Sequence, residues 1–151
     1  MSTVYLNGHY MPMNEAKISP MDRGFLFGDG IYEVIPSYHG SLVGFGPHLD
    51  RMQEGLDAIE LKLKIDRREW RAICDALIEK NAGENLGLYF HVSRGADTTR
   101  NHAYPTGIEP TVFAFAYEIP SAPEPDKSTV TTYRVSTAED LRWKRCNIKS
   151  T

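Results

Sequence analysis

The order of periodicities along the chain predicts an α+β fold: short alternating strands open it, two consecutive amphipathic helices follow, and strands return after them. Because the two helices follow one another, with no strand between them, a doubly wound βαβ arrangement is excluded, and an antiparallel sheet with two packed helices is expected. At 151 residues, 41% of them hydrophobic and 25% charged, the chain can build a core without a disulfide or metal staple.

Each element has its own local warrant. Val4 to Leu6 and His9 to Met13 flank Asn7-Gly8, the pair favoured where a tight hairpin needs two positive-φ residues. Ile31 to Tyr38 and Ser41 to Val43 flank His39-Gly40 in the same manner. Between these hairpins, Ser19 to Gly30 reads as a loop with three glycines, whose expected purpose is close backbone approach. Phe45, Leu49, Met52, Leu56 and Ile59 recur at helical spacing behind a first-turn Pro47. Asp66 three residues before Glu69 forms a capping-box signature, and Trp70, Ile73, Leu77 and Ile78 supply the stripe of a second helix ending near Asn81 to Gly83, with Cys74 at the stripe's edge.

After Gly87 the period becomes two, with Leu88, Phe90 and Val92 on one face and Tyr89, His91 and Ser93 on the other. Arg94 to Pro110 reads as a long loop, a length that in a small domain points to function. Thr111 to Tyr117 reads as a strand, residues 119–125 as a proline-rich spacer, and Thr129 to Val135 as one more strand.

A net charge of −3 argues against nucleic acid as a partner. No run approaches the length of a membrane span and the first residues lack the layout of a leader, so a cytoplasmic protein with Cys74 and Cys146 reduced is expected. His9, His39 and His91 have no metal-ligand spacing to a cysteine, and no metal site is expected. Gly28-Asp29-Gly30 leads into a strand pattern, which removes it as a dinucleotide signal.

The residues that suit chemistry are scattered. His48 and Arg51 stand three apart on the first helix, where an arginine fork suits phosphate, although on spacing alone a solvated face is the simpler reading. Arg100-x-His102 in the long loop has the chemistry of a carboxylate clamp, against the plainer reading of loop polarity. Near the end, Arg142, Lys144, Arg145 and Lys149 crowd around Trp143 and Ile148. Like charge disfavours an ammonium form and so favours carbonyl chemistry at such a lysine, whereas composition alone favours a solvated basic run.

Four segments, in order, carry a resemblance: residues 22–33 (DRGFLFGDGIYE), His48-Leu49-Asp50-Arg51, residues 89–95 (YFHVSRG), and residues 142–150 (RWKRCNIKS). Together they resemble the fold-type IV pyridoxal-phosphate enzymes, a class that includes D-amino-acid aminotransferases, branched-chain aminotransferases and aminodeoxychorismate lyases. Arg100-Asn101-His102 and the final run are most similar to the D-amino-acid aminotransferases.

The resemblance implies a role for each matching residue. Lys149 matches the lysine that links to pyridoxal 5'-phosphate and moves a proton at the substrate, and Arg51 matches a ligand of the cofactor phosphate. Tyr32, Arg100 and His102 match the trap for the substrate α-carboxylate, with Arg100 and His102 reaching the partner's site in a homodimer. His48, Tyr89 and Arg142 match positions lining the site. The implied reaction is transamination between a D-amino acid such as D-alanine and a 2-oxo acid such as 2-oxoglutarate, with ping-pong kinetics. A branched-chain aminotransferase, an aminodeoxychorismate lyase and a non-catalytic module remain the alternatives.

The resemblance covers about the first half of the family's chain. It implies a small α+β domain over 1–120, then an interdomain linker and the first strands of a large cofactor-binding domain over 121–151. The pyridine-nitrogen partner and the rest of the phosphate cup would lie beyond residue 151, and the 151-residue piece alone is expected to be inactive.

Overall fold

Both hairpins form where their turn residues place them. In the computed structural model, which describes residues 2–126, 128, 130–139 and 148–150, β1 (Thr3–Leu6) and β2 (His9–Pro12) turn through Asn7 and Gly8 at φ of 47° and 92°. β3 (Gly30–Tyr38) and β4 (Ser41–Leu42) turn through His39 and Gly40, also at positive φ. β5 (Asn85–Ser93) and β6 (Thr111–Glu118) complete a six-stranded sheet in the order β2-β1-β6-β5-β3-β4, with every neighbouring pair antiparallel.

One face of that sheet carries the core. Ile31, Ile35, Leu88, Phe90, Val92, Val112 and Ala114 are buried with Leu49, Met52 and Leu56 of α2 (Phe45–Ala58) and with Trp70, Ile73, Cys74 and Leu77 of α3 (Arg67–Lys80). Each fully buried large side chain contributes about 1.5–3 kcal/mol, which sets the phase of strands and helices together. The Asp66–Glu69 capping box closes both of its hydrogen bonds at the start of α3. Cys74 is a free thiol inside this core and not at its edge, and burial pushes its pKa up to about 12.

The opposite face is half-buried and aromatic. Tyr32 stacks on Tyr89 at 5.6 Å and Tyr89 packs on Phe115 at 5.0 Å, a ladder produced by the pairings of Tyr32 with His91, Val34 with Tyr89, and Tyr89 with Phe115.

Ser19 to Gly30 is not loop throughout. Asp22 caps a short helix, α1 (Arg23–Phe27), by accepting from the Gly24 amide at 2.8 Å. Close approach is the purpose of two of its glycines, as expected: a Cβ on Gly24 would lie 2.8 Å from Ser93 Cβ, and one on Gly30 would lie 2.6 Å from the Val92 carbonyl oxygen.

The strand expected over 129–135 is corrected. Residues 130–135 belong to no ladder, and Val130, Tyr133 and Val135 are exposed, because an alternating pattern makes a strand only where another strand accepts its hydrogen bonds. Thr129, Arg142, Trp143, Lys144, Arg145 and Cys146 lie outside the described residues. Ile148 to Ser150 do rejoin the sheet. β4 pairs only with Ser37 and Tyr38, so the outer edge of β3 is open at its start, and there Ser150 bridges Ile31 while the Tyr32 amide donates to the Lys149 carbonyl at 3.2 Å.

Candidate active site

The site is assembled at that open edge of β3, where consecutive residues face opposite ways. Tyr32 lies on the aromatic face, and the Lys149 ammonium stands 4.3 Å from the centre of its ring. Among the described residues, Lys149 Nζ has no carboxylate partner.

Glu33 lies on the helix face with a side chain only 1% exposed. A buried carboxylate demands cations, and α2 supplies them. Arg51 donates through Nε to Oε1 and through Nη2 to Oε2, both at 2.6 Å, and His48 Nδ1 donates to Oε2 at 2.7 Å. Burial acts to raise the Glu33 pKa, but the hydrogen bonds and charges of Arg51 and His48 outweigh it and hold the carboxyl below its ordinary value. The Glu33 hydrogen bond in turn raises the pKa of Arg51, against a smaller opposing effect of burial, and the nearby Tyr32 phenol adds to the rise. The Arg51 side chain is 47% exposed and its Nη1 has no acceptor among the described residues, so one edge of the guanidinium is held and the other is free.

Arg100 and His102 come together elsewhere, over α1. Both rest on the Phe27 ring, the Arg100 guanidinium 5.0 Å and the His102 ring 5.1 Å from its centre. Among the described residues, no hydrogen bond or ring contact joins either of them to Tyr32 or Lys149. His102 does share a cleft of about 350 Å3 with Ser150, the neighbour of Lys149, and with Phe27, Asp29 and Ile59. A larger cleft of about 610 Å3, walled by Ile18, Phe25, His91 and Ser93, includes none of the residues singled out for cofactor or carboxylate. His91 there receives or donates a hydrogen bond with the Tyr89 hydroxyl at 3.2 Å, and burial lowers its pKa against the pull of Asp22.

Two ion-paired carboxylates of this region lie outside the residues singled out from the sequence. Asp29 binds Arg23 Nε at 2.7 Å and Arg94 through Nε at 2.8 Å and Nη2 at 3.0 Å. Burial works to raise its pKa, and the hydrogen bonds of Arg94 and Arg23, with their charges, prevail and lower it. Glu33 is the other. Its signal was an acidic residue at the inward phase of a strand, between Ile31 and Ile35.

The model of the family described as amino-transferase class IV matches residues 30–151. The chain belongs to the class IV aminotransferases. D-alanine aminotransferase of Staphylococcus haemolyticus is 38% identical over 151 residues, covering 99% of this chain and 52% of that protein. D-alanine aminotransferase of Listeria monocytogenes is 34% identical over 149 residues, covering 97% of this chain and 50% of that protein. The chain thus spans about half the length of the curated relatives it matches.

Solved structures share the fold. A branched-chain amino acid aminotransferase from Escherichia coli superposes with a TM-score of 0.72 at 18% identity, over 78% of this chain and 40% of that one. A hypothetical aminotransferase from Mycobacterium tuberculosis, in a PLP-bound form, superposes with a TM-score of 0.63 at 19% identity, over 79% and 40%. No helix among the described residues is long and apolar enough to cross a membrane.

Proposed function

We propose that this class IV aminotransferase chain supplies the lysine, a phosphate ligand and the carboxylate clamp of a pyridoxal-phosphate-dependent D-amino-acid transaminase acting between a D-alanine-like donor and a 2-oxo acid. The observation that carries this reading is Lys149, an amine tied through its own main chain to Tyr32 and laid over that ring, while the half-free Arg51 feels the charge of the same Tyr32. The residues fit a phosphorylated aromatic aldehyde: among the described residues, an amine without a carboxylate partner for the aldehyde and a guanidinium edge without an acceptor for the phosphate.

Bound pyridoxal phosphate supplies an electron sink for negative charge at the substrate Cα. Lys149 Nζ would hold the cofactor and, once displaced by substrate, would move the proton from that carbon to the cofactor's C4′. Glu33 fixes one edge of the Arg51 guanidinium, and Nη1 on the other edge would donate to the phosphate. Tyr32, Arg100 and His102 bind the substrate α-carboxylate, the last two from the second subunit of a homodimer, which accords with their separate position on Phe27. His48, Tyr89 and Arg142 complete the surroundings. Residues 121–151 form the interdomain linker and the first strands of the larger cofactor-binding domain, and the enzyme works in the cytoplasm on its amino-acid and 2-oxo-acid pools.

The test is an absorbance spectrum of this chain joined to the larger cofactor-binding domain proposed to follow it, with pyridoxal phosphate, before and after excess D-alanine, repeated with L-leucine. A band near the visible edge that D-alanine discharges and 2-oxoglutarate restores is the expected result. Discharge by L-leucine alone would make the chain part of a branched-chain enzyme, and no band at all would leave a non-catalytic module.

A further inference from the structure

The Arg100–His102 segment belongs to a loop without regular structure, yet its main chain is gripped from below. Arg23, the first residue of α1 and only 3% exposed, sends Nη1 to the Asn101 carbonyl at 2.6 Å and Nη2 to the His102 carbonyl at 3.3 Å. Its Nε is held by Asp29, so all three guanidinium nitrogens are committed. One turn later on the same helix, Phe27 offers the ring on which both Arg100 and His102 rest, and the Arg23 guanidinium itself lies 4.7 Å from the centre of that ring.

Two further contacts tie the start of the loop to the same base. The Arg23 amide donates to the Gly95 carbonyl at 2.9 Å, and Asp22 bridges Ala96. Asp29 also binds Arg94, whose guanidinium reaches the Ile59 carbonyl at 2.6 Å at the end of α2, the helix that bears Arg51. A single carboxylate, Asp29, therefore references the loop and the helix to one point.

We propose that Arg23 and Phe27 are positioning residues for substrate carboxylate binding: Arg23 fixes the main chain beneath Arg100 and His102, and Phe27 fixes their side chains. The proposal rests on the reading of Arg100 and His102 as the carboxylate clamp. In this role Arg23 and Phe27 act through Arg100 and His102. Lysine at position 23 would keep the charge opposite Asp29 but has no planar fork with which to reach two carbonyls as well. Arg23→Lys therefore separates the positioning role from simple neutralisation of Asp29.

The experiment compares wild type, Arg23→Lys, Phe27→Leu and Arg100→Ala in the pyridoxal-phosphate-loaded enzyme, with D-alanine and with ethylamine, which lacks the carboxylate. Hydrogen exchange of the amides over 98–104 is followed in parallel and does not depend on turnover. For Arg23→Lys we expect KM for D-alanine to rise about tenfold with kcat within about threefold, the ethylamine reaction unchanged, and loop exchange about tenfold faster. Equal losses for D-alanine and ethylamine, or an unchanged KM for D-alanine beside a raised one in Arg100→Ala, would overturn the positioning role. An unchanged KM in Arg100→Ala itself would instead overturn the clamp. Should Arg23→Lys not fold, Phe27→Leu, which leaves the Arg23–Asp29 pair in place, decides by the same readouts.

Discussion

Lys149 and Tyr32 are joined twice, by a main-chain hydrogen bond of 3.2 Å from the Tyr32 amide to the Lys149 carbonyl and by an ammonium set 4.3 Å from the ring centre. The backbone bond holds the lysine whatever its side chain does. Lys149→Ala is thus expected to leave the fold intact while abolishing both the visible-edge absorbance with pyridoxal phosphate and all turnover. Spectrum and circular dichroism of the same sample check it, and a persistent band would remove Lys149 from the chemistry.

Arg51 offers one free edge, and its loss should be felt by the cofactor before the substrate. Arg51→Ala is expected to weaken pyridoxal phosphate binding by about 10- to 100-fold, the equivalent of one or two charge-assisted hydrogen bonds. Titration by absorbance measures it. Glu33→Gln should act at a distance, destabilising the folded chain by about 1–3 kcal/mol because Arg51 and His48 lose their charged acceptor, and it should also weaken the cofactor by loosening Arg51.

For Arg100 the expected loss is specific to the carboxylate. Arg100→Ala should cost about 2–4 kcal/mol in kcat/KM for D-alanine, leave cofactor affinity nearly unchanged, and spare an amine without a carboxylate. Steady-state kinetics on the two substrates settle it.

Acid should destabilise the chain in two stages. The pKa of His91 is lowered from 6.5 by burial, so below that value the unfolded chain accepts a proton that the folded one resists, and stability falls as pH drops. Asp29 and Glu33 sit below their ordinary values, so their contribution is whole above about pH 4.5 and drains away as pH falls through the folded values. Thermal melts from pH 8 to pH 3 should show a decline beginning near 6.5 and steepening below about 4.5. His91→Gln should remove the first stage alone.

Gly30 has no room for a side chain. Gly30→Ala sets a Cβ against the Val92 carbonyl and the Ser93 Cα, main-chain atoms that cannot step aside, and a loss of about 1–3 kcal/mol is expected in denaturant unfolding. A neutral result would mean that β3 and β5 shift at little cost.

Local signals in the sequence were the legible ones. Asn7-Gly8, the Asp66–Glu69 box and the Leu49-Met52-Leu56 stripe act within a few residues, and each formed where expected. α1 escaped because five residues are too few to show a period, although Asp22 before Gly24 was a cap in plain view. Lys149 and Tyr32 were singled out by resemblance, and their contact appears only once the chain end meets the β3 edge. The Asp29 and Glu33 pairings were illegible for a related reason: Arg94 is 65 residues from Asp29 and Arg51 is 18 from Glu33, separations that only the folded sheet closes.

The alternation of β3 makes its pairing with β5 an address as well as a scaffold. Were β3 to slip by one residue against its neighbours, Tyr32 would turn toward the helices and Glu33 toward the aromatic ladder, so the lysine would lose its ring and the arginine its carboxylate in one movement. The match of nine consecutive pairs from Gly30–Ser93 to Tyr38–Asn85 therefore protects two different chemistries with one set of main-chain bonds. A substitution that disturbs that ladder far from either side chain would be expected to silence both at once.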